Sequence, residues 1–346
     1  MSIKRKTILI FMVLFLSACN SSGSSQAELV EEDTVIESYT IEETPAHAKL
    51  DQADSAMKTY STNIHDYFPF DRDIVKYYKS DDGEEFSSFV QYGDETRIQF
   101  ATRRRDTDNI HVYEKDENEI RVVFRKEGIT YRENYLNQTG FVGVHLRGPV
   151  EIGTSWVNSD NQEAVITGVD LEIDGVSSIE VTTDTSVQYY GYQRGLIKQI
   201  KNINSNPITD TLERLRINQT TNFNIMIYLF DDGKWSQELI SNDISMNSDA
   251  KDFLQLELVR ARIISESVQI NSMTRKLSDD RVYVDFNNEI YNGIESLQQE
   301  RIMLQSIVRS VGYLYGVNEI YLWVEGEAYQ GPFIEMTKNE LLQITQ

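Results

Sequence analysis

The segment Arg281-Val282-Tyr283-Val284-Asp285-Phe286 decides the fold expected for the C-terminal region. Its apolar side chains alternate with polar ones, which predicts a β-strand with one buried face. The stretch from Ser267 to Leu277 precedes it across Asp279-Asp280, so the two segments are expected to form a hairpin. Asp285 should point away from the apolar face, where it would either bind a cation or hydrogen-bond an adjoining loop.

Strand and helix patterns alternate on either side of this hairpin. Phe223 to Phe230 is a dense apolar strand, and Trp235 to Ile240 is its expected return strand. Ser248 is expected to cap a first helix, and a second helix is predicted from Glu295 to Tyr315. The apolar stripe of the first helix comprises Phe253, Leu256, Val259 and Ile263. With a closing strand at 317–324, the order ββαββαβ predicts an α+β layer with both helices on one face of a small sheet.

These C-terminal residues resemble the GerMN domain, a module named from sporulation and germination proteins. The segment 281–286 is similar to its VxVDFS strand, and Glu300 with Leu304 and Ile307 is similar to its glutamate-led helix. The stretch from Gly316 to Glu327 is similar to its PGVxxVxxxVDGE ending. The resemblance implies a GerMN-like α+β fold, and a role in supporting the assembly of envelope or sporulation complexes.

Glu300 is the carboxylate most open to a functional interpretation. It shares a helix face with Leu304 and Ile307, so partial burial is expected. It could be a catalytic acid with a raised pKa, or it could accept backbone N–H groups from the loop at 291–294. The chain's four histidines are scattered, and no metalloprotease, P-loop or nucleophile motif is present. The sequence therefore predicts no catalytic residues, no cofactor and no metal site.

Residues 59–218 have a different pattern, of short strands joined by tight turns. The turn signals include Asp81-Asp82-Gly83, Asp174-Gly175 and Arg194-Gly195. They predict an antiparallel β-sheet meander, either open or rolled into a partial barrel. Residues 202–218 are expected to form a linker to the C-terminal domain, residues 219–346.

Three segments of this β-rich region resemble a domain of bacterial surface lipoproteins that has no assigned chemistry. They are Tyr67-Phe68-Pro69, Gly153-Thr154-Ser155-Trp156 and Tyr189-Tyr190-Gly191-Tyr192. The region's many aromatic side chains could fill the sheet core or line a cleft that stacks sugar rings. Arg103-Arg104-Arg105 could clamp a phosphate or be a solvated strand end.

The N-terminus predicts an export signal. Lys4, Arg5 and Lys6 precede nine apolar residues, Ile8 to Leu16, which is short of the roughly 20 that span a bilayer. Leu16-Ser17-Ala18-Cys19 resembles a bacterial lipobox, and Cys19 is the only cysteine. Residues 1–18 are thus expected to be a signal peptide, Cys19 the lipidation site, and residues 19–58 a disordered acidic tether.

The lipobox-like N-terminus and the GerMN resemblance together imply a lipid-anchored, extracytoplasmic, non-enzymatic scaffold or interaction protein of the cell envelope, with a relation to sporulation or germination. The net charge of −22 argues against nucleic-acid binding, so the expected partners are the membrane, through Cys19, and an envelope protein. Tyr321, Trp323 and Glu325 alternate with apolar residues on the closing strand and are the interaction candidates. One alternative is a glycan- or cell-wall-polymer-binding lipoprotein that uses the aromatic β domain, and another is a cell-wall hydrolase.

Overall fold

The computed structural model describes residues 60–70, 73–105, 107–278 and 281–344. The predicted signal peptide, Cys19, the whole acidic tether and the turn Asp279-Asp280 lie outside these residues. The domain boundary predicted at 218/219 falls inside them, between two consecutive strands.

Twelve antiparallel strands of the described N-terminal region form one sheet. They are β1 (Ile74–Ser80), β2 (Glu85–Gly93), β3 (Arg97–Arg104), β4 (Thr107–Asp116), β5 (Glu119–Ile129), β6 (Gly143–Arg147), β7 (Ser155–Val157), β8 (Glu163–Ile173), β9 (Val176–Thr182), β10 (Ser186–Gly191), β11 (Gly195–Lys201) and β12 (Ile208–Ile217). A 3-10 helix, Ile64–Tyr67, precedes them. The sheet order is β6-β5-β4-β3-β2-β1-β12-β11-β10-β9-β8-β7, so two meanders join through the β1–β12 pair. The predicted antiparallel meander is confirmed.

The two ends of this sheet meet, so it is rolled into a barrel rather than open. A parallel bridge between Val144 of β6 and Asn158, just after β7, joins the edge strands. At the same junction, a Cβ added to Gly143 would lie 2.4 Å from the Cα of Ser159, so the two backbones can approach only at a glycine. The barrel interior is filled by one apolar cluster, which includes Ile74, Ile98, Ile120, Leu146, Ile166 and Ile179.

The predicted linker at 202–218 is wrong, because most of it is strand β12 at the centre of the sheet. The loop-like composition belongs to residues 202–207, which precede β12, and within the strand an inward position carries Asp210 instead of an apolar residue. Asp210 is buried, lies 2.7 Å from Lys201 Nζ and accepts a hydrogen bond from Ser80. A paired carboxylate thus occupies an interior site that hydrophobic patterning does not reveal.

The C-terminal region has the predicted ββαββαβ order. Its elements are β13 (Thr221–Asp231), β14 (Lys234–Ile244), α1 (Ala250–Arg260), β15 (Ile270–Lys276), β16 (Arg281–Phe286), a 3-10 helix (Asn288–Tyr291), α2 (Leu297–Tyr315), β17 (Glu319–Val324), β18 (Glu327–Ala328) and β19 (Leu342–Gln343). The expected single sheet is divided in the described residues: β13 and β14 form a separate hairpin, while β15 to β19 form a mixed sheet. The hairpin lies against α2, where the N–H of Tyr228 donates to Ser310 Oγ at 3.2 Å.

The two helices differ in how well their ends and faces follow the predicted pattern. Asp249, not Ser248, is the N-cap of α1, and the Ser248 hydroxyl instead pairs with that of Ser245 at 3.0 Å. Phe253, Val259 and Ile263 of the predicted stripe are partly buried against the core, whereas Leu256 is 45 % exposed and Leu254 and Leu258 are buried in its place, so the stripe is wrong only at Leu256. For α2, Ser296 Oγ accepts the N–H of Gln299, and Gly316 ends the helix at φ 68°, as its position indicated.

One apolar core extends from the outer surface of β1–β5 into the C-terminal helices and sheet. The loop after β5 carries much of this contact, and its Tyr131 ring lies 4.9 Å from that of Tyr315. The neighbouring Arg132, 4 % exposed, donates to the carbonyls of Gln91, Ser245 and Ser248. These buried charge-assisted bonds join the two regions into one unit.

Candidate interaction and ligand sites

The C-terminal region contains a groove of about 940 Å³, hereafter the helix groove. It is bordered by the end of α1 with the following loop 261–268, the loop 290–294 and the first half of α2. Buried Ile264, Val268 and Ile290 form part of its apolar floor. Concave sites of this kind, with an apolar base and a few polar groups, are typical of binding sites.

Two features of the helix groove bear on what it could bind. Ser306 is 1 % exposed, lines the groove, and its Oγ has no hydrogen-bond partner among the described residues. A buried hydroxyl without a partner carries a cost that a ligand or bound water can relieve. Exposed Arg262, Asp231 and Glu266 also line the groove and give it charges of both signs.

The outer face of the mixed sheet carries an aromatic cluster made by Tyr283, Tyr321 and Trp323. The Tyr283 ring stacks on Tyr321 with centroids 4.8 Å apart, and it meets Trp323 edge-on at 4.9 Å. Lys276 Nζ lies 4.0 Å from the Tyr283 centroid, and Arg281 donates to the Tyr321 hydroxyl at 2.7 Å. The aliphatic parts of such cations cover aromatic surface that would otherwise face water.

The three interaction candidates therefore differ in how exposed they are in the structure. Tyr321 is 3 % exposed, so its predicted exposure is wrong: Tyr283 and Arg281 contact the ring. Trp323 is half-buried, and its Nε1 has no hydrogen-bond partner among the described residues. Glu325 is exposed, but it follows β17 in a turn at φ 52° and does not continue the strand's alternation. A role for these residues in binding stays a prediction.

Glu300 is fully buried in the first turn of α2 and holds a loop. Its carboxylate accepts the Tyr329 hydroxyl at 2.9 Å and the N–H of Phe333 at 3.0 Å. A Cβ on Gly331 would lie 1.9 Å from Glu300 Oε1, so the loop backbone packs directly on the carboxylate. The expected acceptor role is therefore present, but on the loop at 329–333 rather than the predicted loop at 291–294.

Asp285 also makes a turn contact. Its Oδ1 accepts the N–H of Gly326 at 2.9 Å, and its Oδ2 accepts from Asn271 at 3.2 Å. The first bond ties β16 to the turn after β17, and the second ties it to β15. Of the two roles left open from sequence, the structural one has its partners in place.

A smaller cavity of about 180 Å³ lies within the barrel, hereafter the barrel pocket. Phe68, Phe100 and Tyr113 are among its walls, together with Lys76 and His145. Burial lowers the pKa of Lys76 to about 7 and that of His145 well below its ordinary value. The volume is below the roughly 300 Å³ of common ligand sites, so it does not fit a chain of sugar residues.

The remaining aromatic candidates lie in the apolar cores, and two of the remaining basic candidates form ion pairs. Tyr67, Phe89 and Tyr190 are buried in the two apolar clusters, which corresponds to the core interpretation. Arg103 donates to Asp108 at 2.7 Å, and Arg104 pairs with Glu84 at the end of β3. The triplet is a strand end with two of its charges already compensated, so it does not present a phosphate clamp.

Neither a metal centre nor a membrane-spanning helix is found in the part of the chain that the structure describes. No cluster of three or more His, Cys, Asp or Glu side chains there is arranged to hold a metal ion. No described helix combines the length and apolarity that crossing a bilayer requires. The helix groove is lined by two carboxylates, Asp231 and Glu266, and both are exposed.

Comparison with known families identifies the C-terminal region. A family model described as Germane, sporulation and spore germination, matches residues 227–330. The chain carries a C-terminal Germane domain. The Germane match begins within β13 and ends at Gln330, so it contains most of the helix groove, Asp285 and Glu300. The loop that Glu300 holds continues three residues beyond the matched range.

Two solved structures share local similarity with this chain. A Clostridium perfringens chain named "Putative Lipoprotein" is 14 % identical over 36 % of this chain and 88 % of its own length, with a TM-score of 0.23. The tandem GerMN domains of the sporulation protein GerM from Bacillus subtilis are 19 % identical over 36 % of this chain and 46 % of that one, with a TM-score of 0.25. The comparison with curated proteins found no match.

Two features of the structure were not anticipated. The helix groove of the Germane domain is formed by loops at 261–268 and 290–294, whose approach depends on tertiary packing. Lys76 lies between Val75 and Tyr77 in β1, and its inward position follows from the alternation of that strand. A lysine is usually assigned to solvent, so the one signal of the burial of Lys76 was its position among apolar residues on the inward face of the strand.

Proposed function

We propose that this chain is a lipid-anchored protein on the extracytoplasmic face of the cell membrane. It acts by binding other envelope proteins rather than by catalysis, in a process related to sporulation or germination. The observation that carries the proposal is the Germane domain at 227–330, which the family description connects with that process. The lipobox-like sequence ending at Cys19 supports the location.

The anchoring step follows from charge and acyl-chain energetics. A chain with a net charge of −22 has little electrostatic attraction to an anionic membrane, so a lipid group would have to supply the affinity. One acyl chain binds a bilayer only marginally, while two or more hold a protein stably. A lipobox cysteine carries at least two, and residues 19–58 would act as the spacer between membrane and folded region.

The helix groove is the surface best suited to partner binding. It combines an apolar floor with exposed charges, and the buried Ser306 hydroxyl offers an unused hydrogen bond. The aromatic cluster of the outer sheet face is less suited, because its rings already stack on each other and are covered by Lys276 and Arg281. We therefore place the partner on the groove side of the Germane domain.

Photo-crosslinking in intact cells tests this placement. A photoreactive residue at Ile302, half-buried in the helix groove, is expected to trap an envelope protein as one discrete adduct. The control position is Ile152, which is 68 % exposed between β6 and β7 and should give no such adduct. Equal adducts at both positions, or none at Ile302, would contradict the groove as the binding surface. An adduct at Trp323 alone would move the site to the outer sheet face.

A further inference from the structure

The barrel pocket contains a cation that the fold does not neutralise. Lys76 is 4 % exposed and lines the pocket, yet its Nζ has no hydrogen-bond or ion-pair partner among the described residues. The Nζ atom lies close to the backbone of Gly195, where an added Cβ would be 2.5 Å from it, and 5.7 Å from the centroid of the Phe100 ring. A buried ammonium of this kind is costly, and buried charges in proteins are normally paired.

The other ionic groups of the pocket already have partners. Arg104 pairs with Glu84 and lies 3.5 Å from Asp210, which also lies 2.7 Å from Lys201. His145 contributes no positive charge at neutral pH, because burial lowers its pKa, and burial also lowers the pKa of His111. Below about pH 7, where Lys76 keeps its proton, the pocket thus has one unmatched charge, and it is positive.

Aromatic rings and polar side chains share the walls around this charge, and the polar ones include Ser88, Thr102 and Gln199. Phe68, Tyr78, Phe100 and Tyr113 line the pocket, and Arg104 stacks on Phe86 at its half-exposed end. The volume of about 180 Å³ equals that of roughly six water molecules. A ligand that fits must therefore be compact and singly negative, with an apolar face to lie against the rings.

We propose that the barrel pocket binds a small monocarboxylate with an apolar body. The carboxylate would receive the Lys76 ammonium, and the body would lie against the rings of Phe100 and Tyr113. A doubly charged phosphate would leave one negative charge without a cation, and a neutral sugar would leave the Lys76 ammonium unpaired. This inference is independent of the envelope role proposed above, because it concerns the barrel and not the Germane domain.

Calorimetry with benzoate as the probe tests the proposal on the full-length chain purified in detergent. Benzoate is expected to bind with a Kd below about 1 mM, and its neutral isostere benzamide at least tenfold more weakly. Lys76→Met should weaken benzoate binding at least tenfold while leaving the fold intact. The matched control is Lys79→Met, which removes a half-exposed lysine from the same strand and should leave the affinity unchanged.

Two results would overturn the proposal. Equal binding of benzoate and benzamide to the unmodified chain would show that the charge of Lys76 is not used. Unchanged benzoate affinity in Lys76→Met would place the anion elsewhere. The benzamide comparison requires no variant, so the proposal stays testable even if Lys76→Met alters the fold.

Discussion

Replacing Glu300 with alanine is expected to lower the free energy of unfolding by about 4 kcal/mol. The change leaves the buried Tyr329 hydroxyl and the partly buried N–H of Phe333 without an acceptor. Each such loss costs roughly 1–3 kcal/mol, and the vacated side-chain volume adds a cavity term. Urea denaturation of the variant and the unmodified chain measures the difference.

Two further variants sharpen the test of Glu300. Glu300→Gln keeps the side-chain volume and one acceptor oxygen, so its loss should be smaller than that of the alanine variant. Gln298→Ala removes an exposed side chain from the same helical turn and should change stability by less than about 0.5 kcal/mol. A loss below about 1 kcal/mol in Glu300→Ala would mean that the loop at 329–333 does not depend on this carboxylate.

Lys76→Met is expected to raise the free energy of unfolding, and so to stabilise the chain, whereas Glu300→Ala lowers it. Burial lowers the pKa of Lys76 from 10.5 to about 7, which corresponds to a cost of roughly 5 kcal/mol for holding the charged form in the folded state. Below pH 7 both folded and unfolded states carry the proton, so the whole cost is present. Removing the ammonium should therefore raise the free energy of unfolding by several kcal/mol at pH 6.

The stability difference between Lys76→Met and the unmodified chain is also expected to depend on pH. Between pH 7 and 10.5 the unfolded state binds the Lys76 proton and the folded state does not, so the unmodified chain gains stability as pH rises. The advantage of Lys76→Met should fall to about 2 kcal/mol near pH 9 and vanish above pH 10.5. His111, His145, Tyr78 and Tyr113 also line the pocket and are retained in both proteins, so their titration cancels to first order.

Urea denaturation of both proteins at pH 6 and pH 9 measures this difference. Lys79→Met, which alters a half-exposed lysine, should show no comparable pH dependence. A Lys76→Met variant less stable than the unmodified chain at pH 6 would show that the ammonium is favourably placed in the folded state.

Local patterning predicted the strands of this protein well where one face is apolar and the turns carry glycine. The hairpins around Gly83, Gly175 and Gly195 each have a positive φ at that residue, which is why their turn signals were informative. Strand β12 escaped prediction because Asp210 occupies an inward position. The separation of the β13–β14 hairpin from the mixed sheet depends on packing against α2, which the order of elements does not encode.

The candidate sites were predictable to a smaller extent. The spacing of Glu300 from Leu304 and Ile307 predicted its burial, but not which loop it would hold, since Tyr329 and Phe333 are distant in sequence. Tyr321 alternates with buried residues, yet Tyr283 of the neighbouring strand stacks on its outward face. Contacts between side chains on separate strands depend on register, and this chain's alternation alone does not specify it.

Lipidation of Cys19 is the central claim, and metabolic labelling with an alkyne-tagged fatty acid tests it most directly. Labelled cells expressing the unmodified chain and a Cys19→Ala variant are separated into membrane and soluble fractions. The account predicts that the unmodified chain is labelled and sediments with the membrane, while Cys19→Ala carries no label and keeps its unprocessed N-terminus. An unlabelled native chain, or a Cys19→Ala variant that is processed and remains membrane-bound at its normal size, would contradict it.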